Sequence, residues 1–372
     1  MTRLTRLLLP VALIAIASAW AFTLVGAQPA FDGGVKPYKF VLGSELSGEE
    51  AKKAVVKPAF KAVADDRFDY EVYFNIRRNG ASSDANGAAG GFARTETWVS
   101  QCNLTLEEDD LTGRKDLRAA FRYESLYFDL VDGQTSYSGY IGPKVDDGGA
   151  GHDSTFWKVD ADGSRTTAFQ IPGWLGVNAR SVENSRNTQA GPGSASAWVS
   201  VSDTGRLHDE VYFADFDSSD QRNYPARLLD PVHIVSGLMP EFAAGASAQL
   251  GAELVIRRRM PVGPLPGATI DYDLTYTLEK VYGPVTEPTA AQFKFSGKAV
   301  SAEHTQRVGG MDLKFTAPEI KDGLLLLDLV KGVSAVVRWK YALKGEISEP
   351  GSARRATFGS EAEFSASLRK QK

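Results

Sequence analysis

The chain has 372 residues, with 42 Lys and Arg against 46 Asp and Glu, and it contains a single cysteine. This slight acidity argues against a nucleic-acid partner, because nucleic-acid binding rewards a basic surface. One cysteine excludes an intramolecular disulfide. The length suits one large domain or two ordinary ones.

Residues 1–27 have the pattern of a secretory signal peptide. Arg3 and Arg6 precede an apolar run over 7–25, and small residues lead to a cleavage site after Ala27. The alternative is an uncleaved N-terminal anchor, but a proline interrupts the run and a good cleavage site follows. We therefore predict a secreted or periplasmic protein with no transmembrane span after signal cleavage.

The segment 28–66 is predicted to be extended with one short helix. Ser47 and Glu50 form a capping-box pattern, which favours a helix over about 48–56. Pro58 ends or kinks that helix, because proline lacks the backbone N–H that a helix interior needs.

After residue 67 the hydropathy changes to a period of two, which predicts β-strands with one apolar and one polar face. Gly/Ala/Ser-rich residues 79–91 predict a loop, as do 142–154 and 184–196. Residues 220–231 predict a connector. The positions that alternate most clearly are Phe68, Tyr70, Val72, Phe74 and Ile76, then Ile270, Tyr272, Leu274, Tyr276 and Leu278, and finally Val333, Ala335, Val337, Trp339 and Tyr341.

Gly-containing dipeptides between these runs predict tight hairpin turns, because glycine tolerates the positive φ that such turns require. They are Asp132-Gly133, Asp162-Gly163, Asp322-Gly323 and Lys331-Gly332. After Pro58, only 233–254 and the tail after Ser352 have any helical character. The predicted fold class is all-β with minor α: curved antiparallel sheets, half-barrel or sandwich-like, in two related β-rich units over 67–222 and 223–372.

Histidine-based catalysis has little support in the sequence. His152, His208, His233 and His304 show no metal-ligand spacing, and no nucleophile elbow or phosphate loop is present. His152, Asp153 and Ser154 are adjacent, whereas a catalytic triad is assembled from residues distant in sequence. We assign no catalytic residue.

Acidic and thiol groups are interpreted as structural. Asp160-Ala161-Asp162-Gly163 fits a hairpin turn better than a calcium loop, which would need a bidentate Glu. Asp215, Asp217 and Asp220 fit a solvated turn better than a calcium site. Cys102 fits a buried strand residue better than a nucleophile. No metal and no cofactor are predicted.

Aromatic residues on the alternating faces allow two interpretations. They pack on each other as a core, or they line a cavity for a hydrophobic ligand, as curved antiparallel sheets do. The period of two does not separate a filled interior from a hollow one. Arg257, Arg258 and Arg259 fit a solvated strand end better than an anion site.

The second half has a recognisable layout. Leu228–Val232 leads to Gly237–Pro240 and Gly245–Ser247, and a strand ending at Val281 precedes Gly323–Asp328 and the Lys331-Gly332 turn. Over about residues 68–347 this resembles a family of exported bacterial β-rich proteins of unknown function, similar in general shape to lipoprotein-carrier half-barrels. The resemblance implies such a fold and brings no functional residues with it.

These observations predict an exported, non-enzymatic binding or envelope-associated β-protein, with a hydrophobic ligand or lipid as the sharper version. Its partner would be a hydrophobic small molecule or another envelope protein. One alternative is an extracytoplasmic hydrolase with a site assembled from loops, using His152, His208 or His233 as base. The other is a structural cell-surface protein.

Overall fold

The chain folds into one large antiparallel β-sheet with two short helices. A computed structural model describes residues 36–83, 89–108, 116–133, 135–143, 152–160, 162–167, 197–212, 231–261, 269–308, 311–316, 319–351 and 355–369. The helices are α1 (Gly48–Lys53) and α2 (Pro231–Leu238). The strands of the first half are β1 (Arg67–Ser83), β2 (Ala89–Glu108), β3 (Leu117–Asp132), β4 (Thr135–Pro143), β5 (His152–Val159), β6 (Arg165–Thr167), β7 (Ala197–Val201) and β8 (Leu207–Tyr212).

The second half contributes the remaining strands. They are β9 (Glu253–Pro261), β10 (Thr269–Tyr282), β11 (Ala290–Ala299), β12 (Glu303–Val308), β13 (Met311–Thr316), β14 (Ile320–Asp328), β15 (Val333–Ser348) and β16 (Arg355–Leu368). The main sheet runs β6-β5-β4-β3-β2-β1-β16-β15-β14-β11-β10-β9. The pairs β7–β8 and β12–β13 branch from β3 and β15. This confirms the all-β, antiparallel prediction.

The last strand, β16, joins the two halves of the chain. It lies between β1 and β15 and pairs with both over nearly its whole length, from Tyr70↔Leu368 to Ser83↔Arg355 on the β1 side. The sheet is therefore continuous through both predicted units, and the division at residue 222 stays a prediction.

The sheet curves around α2. This helix contacts both β3 and β9, which lie eight strand positions apart. Eight strand spacings span about 38 Å in a flat sheet, whereas a helix of eight residues is about 12 Å long. Only a strongly curved sheet brings β3 and β9 to one short helix, which agrees with the predicted curvature. We call the face toward α2 the inner face.

The hydrophobic core lies on the inner face, between the sheet and α2. Phe74 and Phe364 pack with ring centroids 4.9 Å apart, and Trp339 lies 4.2 Å from Phe364. Gly237 of α2 lies against Phe364 and Trp339, and a Cβ at this position would come within 2.7 Å of both of these rings. One continuous cluster includes residues of α2 and of strands from β1 to β16.

Residues 36–66 close the lower end of the core, which is the end with the β14–β15 turn. The Lys61 amide donates to the Lys331 carbonyl at 2.9 Å, and the Asp65 amide donates to Leu106. The Lys331 ammonium binds the Asp66 carboxylate at 2.6 Å. These contacts fix the segment to β2 and to the β14–β15 turn. We call the opposite end of the sheet, at the β1–β2 turn, the upper end.

Most predicted hairpins are confirmed. Gly133, Gly163 and Gly332 have positive φ and lie between paired strands. The hairpin predicted at Asp322-Gly323 is wrong, because both residues lie within β14 at a register shift. Gly323 is needed there since a Cβ would collide with Phe295 of the neighbouring β11.

Three other predictions need correction. The tail after Ser352 forms β16 rather than a helix. The loop predicted over 79–91 is shorter, because β1 continues to Ser83 and β2 begins at Ala89. The helical character of 233–254 is limited to α2, and β9 begins at Glu253.

The signal peptide, 184–196, Asp215, Asp217 and Asp220 lie outside the described residues. In the ranges that are described, neither helix has the length and apolar character needed to cross a membrane.

Candidate functional site

The inner face changes from apolar to charged at its upper end. On β1 the inward positions pass from Phe74 and Ile76 to Arg78, and on β2 they pass from Trp98 to Glu96 and Arg94. We name Arg78, Arg94, Glu96, Tyr341 and Ser360 the upper cluster. Strand pairing explains its assembly, because inward positions on adjacent paired strands lie side by side.

Glu96 is the most deeply buried charge of the upper cluster, with a side chain that is 0% exposed. Its Oε2 accepts a hydrogen bond from Trp98 Nε1 at 3.3 Å, and its Oε1 lies 3.6 Å from Arg78 Nε. The latter distance is an ion pair rather than a hydrogen bond. One carboxylate is therefore shared between an indole and a guanidinium.

Arg78 is incompletely satisfied. Its Nε and Nη2 atoms are buried and have no hydrogen-bond partner among the residues that the structure describes. Burial lowers the pKa of the Arg78 guanidinium, the Glu96 charge opposes this shift and the Arg94 charge adds to it. Buried charged donors without acceptors are costly and are usually paired in native proteins.

Ser360 lies directly opposite Arg78 on β16. Its hydroxyl is buried and likewise has no partner in the described part of the chain. Tyr341 supplies a second buried hydroxyl. Burial raises the pKa of Tyr341 and the Arg78 charge opposes this shift, so Tyr341 stays protonated at neutral pH. Arg78, Tyr341 and Ser360 thus place buried donor atoms in the same part of the inner face.

The inner face beneath α2 is filled. A cavity of about 10 Å³ remains there, bordered by Gly237, Arg258 and Trp339. That volume holds one water molecule at most. The Arg258 guanidinium, buried at this cavity, donates from Nη2 to the Met239 carbonyl at 2.9 Å. Arg258 is therefore a buried core residue, and the prediction of a solvated end for it is wrong.

Arg257 and Arg259 do lie at a solvated surface, as predicted. They pair with Asp273 and Asp271 at 2.8 and 3.0 Å, across the β9–β10 ladder. The three consecutive arginines alternate between the faces because they occupy a strand. Only the middle one points to the core.

The histidines do not come together. His208 Nε2 lies 3.1 Å from Asp116 Oδ2, at the lower end near β3. His304 stacks on Phe315 with centroids 5.2 Å apart, and its Nε2 lies 2.8 Å from the Ser301 carbonyl oxygen. His152 begins β5 and His233 lies in α2, and the side chains of both are outside the described set.

His304 also borders an open cleft of about 330 Å³, lined in addition by Arg259, Asp271 and Gln306. Arg259 is already paired with Asp271 there. His208 borders neither this cleft nor the cavity beneath α2. The His208–Asp116 pair resembles two groups of a hydrolase site, the general base and the residue that orients it. The resemblance is limited to these two groups.

The Asp160–Ser164 turn and Cys102 have the local structure that the sequence predicts. The Asp160–Ser164 turn is closed by hydrogen bonds from Gly163 N to Asp160 O at 2.8 Å and from Ser164 N to Asp162 Oδ1 at 2.9 Å. Cys102 is buried in β2, as expected, and burial raises its pKa. Across the described ranges, no group of three His, Cys, Asp or Glu side chains is arranged to hold a metal ion.

A second charged group, on the outer face, is fully paired. Arg67 binds Asp69 at 3.0 Å and Glu124 at 3.3 Å, and Arg369 binds Glu124 at 2.8 Å. Asn103 adds a hydrogen bond to Glu124. This outer network joins β1, β2, β3 and the C-terminal end of β16, which is a stabilising role.

Comparison with known proteins does not assign the chain. No protein-family model matches it, and no curated protein matches it. Weak likeness exists to a BenF-like porin from Pseudomonas fluorescens Pf-5, at 7% identity over 82% of this chain and 98% of that one, with a TM-score of 0.15.

Two further structures are similarly distant. Pseudomonas aeruginosa OpdK with vanillate is 9% identical over 82% of this chain and 98% of its own, with a TM-score of 0.10. CghA is 8% identical over 89% of this chain and 100% of its own, with a TM-score of 0.13. TM-scores this low do not establish a common fold.

Sequence reasoning missed the upper cluster. The signal was present, because Arg78 continues the apolar phase of Phe74 and Ile76, and Glu96 is in phase with Trp98. A charge in phase with a buried strand face predicts a buried charge. Ser360 was missed since β16 itself was not predicted.

Proposed function

We propose that this chain is an exported, non-enzymatic binding protein of the bacterial envelope, with its ligand site at the upper cluster. The observation that supports this is the buried guanidinium of Arg78, whose Nε and Nη2 lack acceptors in the described structure. A protein that keeps a buried charge at a cost in stability commonly uses it for binding or catalysis.

The surroundings of the cluster suit a ligand with an apolar part. Trp98 and Leu343 are buried beside it, and Phe358 lies one inward position above Ser360 on β16. Ligand sites typically combine an apolar lining with a few convergent polar groups. A hydrophobic small molecule or lipid with a polar group meets both features.

The filled core limits the places in which such a ligand can bind. Drug-sized ligands occupy pockets of about 300–1,000 Å³, whereas the cavity beneath α2 measures about 10 Å³. In this conformation a ligand therefore does not fit beneath α2. The cleft beside His304 has enough volume, about 330 Å³, but its Arg259 is already paired with Asp271. We therefore place the ligand at the upper end, and the half-barrel carrier resemblance is proposed in that restricted form.

Export is supported by the sequence of residues 1–27. If the signal is cleaved as proposed, the protein recovered from a bacterial periplasm begins at Gln28, which N-terminal sequencing or intact mass determines. Retention of Met1 in a membrane fraction would instead indicate an N-terminal anchor.

Native mass spectrometry of the periplasmic protein tests the binding function. We expect a mass above that of the polypeptide, which falls to the polypeptide mass after organic extraction. Arg78→Gln should lose the extra mass, and Arg77→Gln is the matched control because Arg77 is exposed on the other face. A polypeptide mass alone, in every preparation, would contradict the proposal.

The hydrolase alternative has one specific observation, the 3.1 Å contact between His208 and Asp116. It predicts turnover of an activated ester such as p-nitrophenyl acetate that is lost in His208→Gln. The binding proposal predicts a background rate that His208→Gln leaves unchanged.

A further inference from the structure

Two neighbouring polar side chains of the upper cluster carry buried hydrogen-bonding atoms that nothing in the described chain satisfies. Arg78 and Ser360 form a directly opposed pair on β1 and β16. Opposed residues of antiparallel strands have Cβ atoms about 5 Å apart. The two side chains therefore start from neighbouring points of the inner face, and Arg78 Nε, Arg78 Nη2 and Ser360 Oγ are all buried there.

Arg78 is a positively charged group of this region whose hydrogen bonds are incomplete in the described chain. Glu96 is shared with Trp98 and stands 3.6 Å from Arg78 Nε. The β1–β2 ladder places Arg94 directly opposite Arg78, so two guanidinium groups share this region with the one Glu96 carboxylate. An acceptor that reached Arg78 would complete a guanidinium that the chain itself leaves incomplete.

Resting on the proposed binding function, we propose that the ligand carries an oxyanion group, a carboxylate or a phosphate, which Arg78 and Ser360 bind. A guanidinium presents parallel N–H donors that match two oxygens of either group. The serine hydroxyl supplies a further donor, and protonated Tyr341 stands beside Arg78. Neutral ligands would leave the charged donors unsatisfied, so the site selects for acids.

The oxyanion has two chemical sources, an acidic amphiphile or a free small anion. Trp98, Leu343 and Phe358 border the cluster, which favours an apolar chain next to the acid. Dodecanoate, methyl dodecanoate and inorganic phosphate distinguish these sources as probes, because they separate the charge from the chain.

The experiment is isothermal titration of each probe into the mature full chain after organic extraction and refolding. Binding of dodecanoate with no binding of its methyl ester identifies an acidic amphiphile. Binding of inorganic phosphate at the same site identifies a small anion. In either case Arg78→Gln should weaken binding about 10- to 100-fold, and Arg77→Gln should leave it unchanged.

Two more variants distinguish a loss of binding from a loss of folding. Arg78→Lys retains the charge but loses the planar pair of donors, and we expect about 10-fold weaker binding. The double variant with Arg78→Met and Glu96→Gln removes both members of the ion pair together, and it should bind none of the acids. Circular dichroism confirms that each variant retains its β-structure.

The outcomes separate the inference from the proposed function. Equal binding of dodecanoate and its ester, unaffected by Arg78→Gln, would overturn the oxyanion assignment and leave a hydrophobe-binding protein. No binding of any probe, together with no extractable ligand in the periplasmic protein, would overturn the binding function itself.

Discussion

Two buried arginines on the inner face have opposite surroundings. Arg258, beneath α2, donates to the Met239 carbonyl at 2.9 Å. Arg78, at the upper end, has its Nε 3.6 Å from Glu96 and its Nη2 without an acceptor among described residues. Burial lowers the pKa of both.

The difference lies in what covers each arginine. The chain that follows α2 brings a backbone carbonyl over Arg258, and a carbonyl has a fixed position that suits a guanidinium. Arg78 has side chains around it and shares its one nearby carboxylate with Trp98. The guanidinium beneath α2 thus finds its acceptor within the protein, whereas Arg78 in the upper cluster has buried N–H groups without an acceptor in the described chain, which is the basis of the proposed ligand site.

The largest loss of stability should come from removing a large side chain from the region beneath α2. Trp339→Ala removes a buried ring that packs 4.2 Å from Phe364, and large-to-Ala changes of buried aromatics cost about 3–5 kcal/mol. Urea denaturation measures the free energy of unfolding. Val255→Ala is the control, since Val255 is 66% exposed and should change stability by less than about 0.5 kcal/mol.

Overpacking the same region should have the next largest effect. The added methyl of Gly237→Ala would approach Phe364 and Trp339 within 2.7 Å, and overpacking costs about 1–3 kcal/mol. Gly91→Ala is the matched control, because its Cβ would lie 3.8 Å from the nearest backbone atom. Equal stability of the two variants would mean that α2 packs loosely on the sheet.

Replacing each of the two buried arginines with a neutral residue compares how much each region contributes to stability. Arg258→Met leaves the buried Met239 carbonyl without its donor and should cost about 1–3 kcal/mol. The double variant with Arg78→Met and Glu96→Gln should stay within about 1 kcal/mol of the wild type, because replacing a buried ion pair by neutral groups is often tolerated. A larger loss in the double variant would show that the upper cluster stabilises the fold.

The outer network provides the smallest and most pH-dependent effect. Burial and the charge of Glu124 raise the pKa of Asp69 more than Arg67 lowers it. A carboxyl with a raised folded-state pKa contributes stability below its unfolded pKa and loses it as the pH rises through the folded value.

Asp69→Asn removes this titration. Relative to the variant, the wild type should therefore lose stability between the ordinary aspartate pKa, about 3.9, and the raised folded value. Unfolding of both proteins over this pH range measures the difference. A gain of wild-type stability with rising pH would mean that the Arg67 ion pair outweighs burial.

The sequence was informative about strands and uninformative about their order. Alternation identified β1, β10 and β15, because one face of each packs on a core and the other does not. It did not place β16 beside β1, since pairing across the chain depends on contacts between residues almost 300 positions apart.

The same limit applies to the candidate site. Arg78 and Glu96 are in phase with apolar neighbours, which local pattern shows, but Ser360 joins them only through the pairing of β16. The small and charged residues of β16, such as Ala362 and Glu363, have no strong strand preference. Residues 355–368 form a strand because they pair with two long strands, β1 and β15.

The position of β16 also constrains how the protein is made. A nascent chain in which β16 has not yet been synthesised has no strand to bridge β1 and β15, so the sheet stays in two pieces until β16 is available. Contacts of such high sequence separation form slowly. That delay would suit the export proposed above, because a chain that crosses a membrane through a translocation channel has to remain unfolded until it has passed.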